Sequence, residues 1–173
     1  MRIAIIVDSP YRDLPGLILV ALRLCNEGAT CYLVPMNLLW TELVGVKPDF
    51  VLVPHLKPDS EDWVGTLLNA GIRVGLLDTE GGYYSENGES SVENPETKGG
   101  ASEFYKNLKA YAITIATKPE IRYQLSFFCS WGPQLARYAS KVGWYKEEQI
   151  VVTGLPRYDL YASPWREASV QMT

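Results

Sequence analysis

Six short, almost unbroken apolar runs, separated by turns and helix-like stretches, limit what this chain can fold into. Arg2–Val7 closes on Asp8, Thr30–Val34 on Pro35, Phe50–Val53 on Pro54 and Arg73–Leu77 on Asp78. Ser126–Cys129 and Gln149–Thr153 read the same way. A strand solvated on one face alternates apolar and polar residues, whereas a continuous apolar run means cover on both faces, as in parallel sheets. The helices expected between the runs are Leu17–Asn26, stopped by Gly28 as a C′ glycine, then Leu38–Val44, and Glu61–Asn69 behind an Asp59-Ser60 cap. A further piece opens at Pro119, and another helix runs from Pro133 to about Val142. Helical crossovers between parallel strands give a Rossmann-like, doubly wound α/β sheet of about six strands. Residues 1–160 form this domain, and 161–173 are a tail or the start of a linker.

The 173 residues amount to about one domain. With 16 Lys and Arg against 20 Asp and Glu, the chain lacks the basic face of a nucleic-acid binder. The apolar stretch after Met1 ends at Asp8, too soon for a signal peptide, and no window reaches the ~18 apolar residues of a membrane span. The expectation is a cytoplasmic protein with no transmembrane segment and no nucleic-acid partner. Cys25, Cys31 and Cys129 are too few and scattered for a disulfide framework or a zinc site, and are expected as buried apolar fillers. No cofactor and no metal site are expected.

In an open parallel sheet, ligands bind outside the carboxyl ends of the strands. That edge would collect Asp8, Arg12 and Asp13 after the first strand, His55 and Lys57 after the third, and Asp78, Glu80, Gly81 and Gly82 after the fourth. Trp131 and Gly132 follow the fifth strand, and Thr153, Gly154 and Arg157 the sixth. Only Gly16 stands at the first turn, where a dinucleotide fingerprint needs three glycines, which argues against NAD or FAD. Arg12 either meets an anion at a helix entrance or pairs with Asp8 or Asp13; the sequence leaves both open. Glu80, presented on two glycines, is the candidate general base, with helix capping or plain exposure as the alternative. His55 is the only histidine. No Gly-x-Ser-x-Gly elbow occurs for a serine nucleophile.

Four segments carry a resemblance. Val7-Asp8-Ser9-Pro10-Tyr11-Arg12-Asp13-Leu14-Pro15-Gly16 resembles the "D-x-x-x-R-D-L-x-G" opening of bacterial surface carbohydrate biosynthesis proteins. Leu77-Asp78-Thr79-Glu80-Gly81-Gly82 is similar to their "D-E-E-G-G" segment, with Thr79 replacing an acid. Phe128-Cys129-Ser130-Trp131-Gly132 is similar to their "a-W-G" turn, and Val152–Leu160 to "V-T-G-N-P-R-F-D-L", with Leu155 in place of Asn. The family is distantly related to the glycerophosphotransferases of teichoic acid synthesis and to UDP-N-acetylglucosamine 2-epimerase. The resemblance implies the N-terminal, acceptor-side half of a GT-B glycosyltransferase of cell-surface polysaccharide synthesis, with the donor-binding half missing from this chain.

On that reading Glu80 acts as or beside the base, and Asp8, Arg12, His55, Lys57, Gly81, Gly82, Trp131, Gly132, Thr153, Gly154 and Arg157 bind substrate. The partners are a glycan acceptor and a nucleotide-activated sugar. The alternatives are a non-catalytic sugar or nucleotide-sugar binding module, or a fragment of a nucleotide-sugar epimerase. Gly81–Ala101 interrupts the periodicity and reads as a lid or acceptor loop, followed by a helical Ser102–Ala116. Tyr83, Tyr84, Trp131, Tyr158 and Tyr161 near the strand ends would form a face for a weak homodimer.

Overall fold

The apolar runs become strands β1 (Arg2–Val7), β2 (Thr30–Pro35), β3 (Phe50–Val53), β4 (Arg73–Leu76), β5 (Phe127–Ser130) and β6 (Ile150–Val152). They form one sheet in the order β2-β1-β3-β4-β5-β6, every neighbouring pair parallel. The computed structural model describes residues 1–79, 119–141, 143–162 and 164. The helices in this part are α1 (Pro10–Asn26), α2 (Leu39–Val46), α3 (Pro58–Asn69), α4 (Pro119–Arg122), α5 (Pro133–Lys141) and α6 (Pro156–Asp159). The fold is the Rossmann-like α/β sheet expected from the sequence.

Continuous apolar strands are explained by cover on both faces. Ile3, Ile5 and Val7 of β1, with Phe50 and Leu52 of β3, bury Leu17 and Ala21 of α1. Ala4, Ile6, Val51, Val53, Val74 and Leu76 point the other way, onto Leu39 and Leu43 of α2, Val64 and Leu67 of α3 and Ala139 of α5. The chain steps from β1 to β2 in one direction and from β2 back across β1 to β3 in the other. Right-handed crossovers in opposite directions place their helices on opposite faces. That reversal opens a crevice between β1 and β3 at the carboxyl edge.

Three expectations need correction. The first helix starts at Pro10 rather than Leu17. Pro10 suits the first helical position, where its missing N–H would be unpaired anyway, and Asp13 lies where the helix dipole favours an acid. Pro15 and Gly16 sit inside the helix instead of breaking it. The cysteines are not all buried: Cys129 is, Cys31 is half-buried and Cys25 is exposed. The apolar stripe of α1 runs through Leu17, Ala21 and Leu24, and Cys25 lies at its margin. Strand and helix ends also move. A 3₁₀ turn at Met36–Leu38 precedes α2, α3 begins at Pro58, α5 ends at Lys141 and a second 3₁₀ turn, Glu147–Gln149, shortens β6. Glu80, the Gly81–Ala101 segment with Gly81, Gly82, Tyr83 and Tyr84, the Ser102–Ala116 helix and residues 165–173 lie outside the described residues. Among the described residues, no helix is long and apolar enough to cross a membrane.

Lys47 closes α2 in the left-handed conformation (φ 48°), its N–H donating to the Leu43 carbonyl at 2.9 Å. A side chain there costs energy that glycine avoids. Lys47→Gly should therefore raise stability by about 0.5–1 kcal/mol in denaturant titration, even after glycine's greater loss of backbone entropy.

Candidate functional site

At the β1/β3 crevice, Asp8 follows β1 and His55 follows β3. His55 Nδ1 lies 3.9 Å from Asp8 Oδ2, too far for a direct hydrogen bond but close enough for a charged histidine to feel the carboxylate. Arg12, in the first turn of α1, forks onto Asp13 with Nε 2.7 Å from Oδ1 and Nη2 2.8 Å from Oδ2. Its Nη2 also lies 3.4 Å from Asp8 Oδ2. Asp13 is only 2% exposed, and a carboxylate withdrawn from water needs such a bidentate partner. Arg12 makes the acid pairing that the sequence left open, with both Asp13 and Asp8.

The ends of β3, β4, β5 and β6 are tied together by backbone bonds and the Trp131 indole. Asp78 adopts a left-handed backbone (φ 49°), which costs a non-glycine residue about 1–2 kcal/mol. Its carbonyl accepts the indole N–H of Trp131. Thr79 N–H donates to the Pro54 carbonyl at 2.6 Å. The Ser130 carbonyl accepts from Thr153 N at 3.0 Å and Gly154 N at 3.3 Å, and Ser130 Oγ donates to the Gly132 carbonyl at 2.9 Å. Gly154 carries φ 76°, so the chain leaving β6 can swing toward α1 at little cost. Burial holds the Cys129 thiol above the ordinary range, with a hydrogen bond to Thr153 pulling the other way.

This swing delivers α6 onto the start of α1. A Cβ added to Gly16 would sit 2.5 Å from Arg157 N and 2.9 Å from Pro156 C, so the two backbones touch where only glycine fits. Arg157 then lies over two rings, its guanidinium carbon 5.5 Å from the Trp131 centroid and 5.3 Å from that of Tyr158. Those rings meet edge to face at 6.1 Å, and Tyr161 continues the row at 6.5 Å from Tyr158. Tyr158 is 54% and Tyr161 75% exposed. Behind Arg157, a hollow of about 10 Å³ is lined by Asp13, Gly16, Leu77, Thr79, Leu155 and Arg157. It has room for about one water molecule. The Thr79 hydroxyl is buried and has no hydrogen-bond partner among the described residues.

Two groups therefore form from the expected site residues. Asp8, Arg12 and His55 gather at the crevice, while Trp131 and Arg157 join through Tyr158. Exposed Thr153 and half-buried Gly154 serve as the connection between β6 and α6, and Gly132 as the turn after β5. Lys57 is half-buried two residues beyond His55. Glu80 directly follows Thr79 but, with Gly81 and Gly82, lies outside the described residues. Asp13 and Tyr158, expected near the strand ends but given no substrate role, join the candidate site. Thr79 was not expected there and left no sequence signal beyond its place before Glu80. Leu155 is buried in the wall of the hollow.

The hollow is too small for a sugar, so a ligand of that size would lie on the outer aromatic row and reach inward to Arg157. No three His, Cys, Asp or Glu side chains among the described residues are grouped to hold a metal ion. No protein-family model and no curated protein matches the chain.

Proposed function

We propose that this chain is the acceptor-side half of a GT-B glycosyltransferase of cell-surface polysaccharide synthesis, and that it holds an acidic glycan along the carboxyl edge of its sheet. The observation that carries the reading is the Trp131–Tyr158–Tyr161 row with Arg157 laid across it. A sugar offers an apolar C–H face that packs on an aromatic ring, and an acidic sugar also offers a carboxylate for a guanidinium. In the crevice, Asp8 and His55 are placed to accept or share a hydroxyl proton. Arg12 holds Asp8 and Asp13 in position rather than meeting the ligand. Glu80, next in the chain to Thr79, is the proposed base for the acceptor hydroxyl. The nucleotide-activated sugar would be held by the complementary half, which the resemblance places outside this chain.

The test is a titration of the full chain with a glucuronate-containing oligosaccharide and its neutral glucose counterpart, followed by tryptophan fluorescence. The acidic sugar should saturate the signal at lower concentration than the neutral one. Trp131→Ala should weaken binding about tenfold, or about 1.4 kcal/mol. Arg157→Ala should remove the preference for the acidic sugar. Equal binding of the two sugars, or binding that ignores Trp131, would overturn the assignment.

A further inference from the structure

The Thr79 hydroxyl takes no part in the contacts that hold the site together. Thr79 is 3% exposed, and its hydroxyl is buried with no hydrogen-bond partner among the described residues. A hydroxyl withdrawn from water and left unpaired is costly. The backbone holds it there nonetheless. Asp78, one residue before, takes the left-handed conformation (φ 49°), in which a residue with a side chain is strained. Thr79 N–H is fixed to the Pro54 carbonyl at 2.6 Å, and the Asp78 carbonyl accepts the indole N–H of Trp131. The same turn therefore positions the buried hydroxyl and the ring on which a sugar would lie. Backbone strain kept beside an unpaired polar group points to a ligand.

The hollow of about 10 Å³ that Thr79 lines decides what can pair with it. Its volume admits one oxygen-sized group. Asp13 lines the same hollow, its carboxylate held by Arg12 Nε and Nη2. An anionic oxygen would be repelled by that carboxylate, and a methyl group would leave Thr79 unpaired. A hydroxyl suits both neighbours, donating to the Asp13 carboxylate and accepting from the Thr79 hydroxyl. Arg157 forms part of the wall and also lies over the Trp131 ring. The hydroxyl that enters must therefore stand close to the carboxylate that Arg157 takes. We propose that Thr79 is a specificity-determining residue that selects acidic sugars with a free hydroxyl on the ring carbon next to the one bearing the carboxylate. The 4-hydroxyl of a terminal glucuronate is such a group. This assignment rests on the acidic-glycan reading of the aromatic row and adds to it the demand for a neighbouring hydroxyl.

The experiment titrates the full chain with an oligosaccharide ending in glucuronate and with its 4-deoxy counterpart, followed by tryptophan fluorescence. The wild-type chain should bind the deoxy sugar about tenfold or more weakly. Thr79→Val removes the hydroxyl at nearly constant volume and should bring the two sugars to equal affinity. Thr79→Ser restores a hydroxyl and should keep the preference. Equal binding of the two sugars by the wild-type chain, or a preference that survives Thr79→Val, would overturn this inference. If such binding still depends on Trp131 and Arg157, the acidic-glycan reading stands without it. Binding of neither sugar would overturn both. Because the decisive comparison is between two sugars on the wild-type chain, it does not depend on either variant folding.

Discussion

Arg122→Leu is expected to cost about 3–5 kcal/mol, the usual consequence of removing one partner from a buried ion pair. Arg122 and Glu61 are 3% and 1% exposed, with Nη1 3.6 Å from Oε1. Arg122 also donates from Nε to the Trp144 carbonyl at 3.1 Å, and its own carbonyl accepts from Gln149 Nε2 at 3.1 Å. Gln149 in turn accepts from Lys146 N at 2.9 Å. Through its side chain Arg122 links α3, α4 and the loop after α5, and through its carbonyl the turn before β6. The leucine would take away the guanidinium while the Glu61 carboxylate stayed in its dry setting. For a chain of this size that loss should lower the melting temperature by about 10 °C or more. The double variant Arg122→Leu/Glu61→Leu should recover most of the loss, because two apolar groups leave no charge to desolvate. A single-variant cost below about 1 kcal/mol would show that water reaches Glu61.

Gly16→Ala and Gly16→Val should form a graded series with the opposite sign to that expected from helix propensity. Alanine within an unobstructed helix gains about 1 kcal/mol over glycine. Here the added Cβ would meet Arg157 N at 2.5 Å and its Cα at 2.8 Å, both backbone atoms that cannot rotate away. Overpacking of this kind costs about 1–3 kcal/mol and is relieved only by moving α6 off α1. Arg157 and Tyr158 travel with α6, so the same change should disturb their contact with Trp131. Denaturation midpoints should fall from glycine to alanine to valine, and affinity for the acidic oligosaccharide should fall with them. A stabilised alanine variant would mean that α6 is not seated on α1 in solution.

The strands were legible because their signal is local. Ile3 to Val7 and Phe50 to Val53 are buried on both faces, so no polar residue interrupts them, and that pattern needs no knowledge of neighbours. The start of α1 was not legible. Pro15 and Gly16 have the chemistry of a turn, and Gly16 is used instead for the backbone contact with Arg157, a partner far along the chain. Cys25 was misjudged for a related reason. Composition favours burial for cysteine, but the rotation of α1 against the sheet decides which residues of its last turn are covered.

At the candidate site, the rule that ligands meet the carboxyl ends of parallel strands located Asp8, His55, Trp131 and Arg157 on one edge before any coordinates. Grouping was another matter. Strand order brings the end of β3 beside the end of β1, and the turn at Gly154 carries Arg157 to Trp131. Neither neighbour is implied by the spacing of these residues in the chain. Periodicity and turn chemistry act over a few residues, and so the sequence by itself determined the elements, their class and the edge where the candidate site was expected. The pairing of Arg12 with Asp13, the Glu61–Arg122 ion pair and the ring-stacked Arg157 depend on desolvation and close packing between distant segments, which exist only once the sheet has assembled.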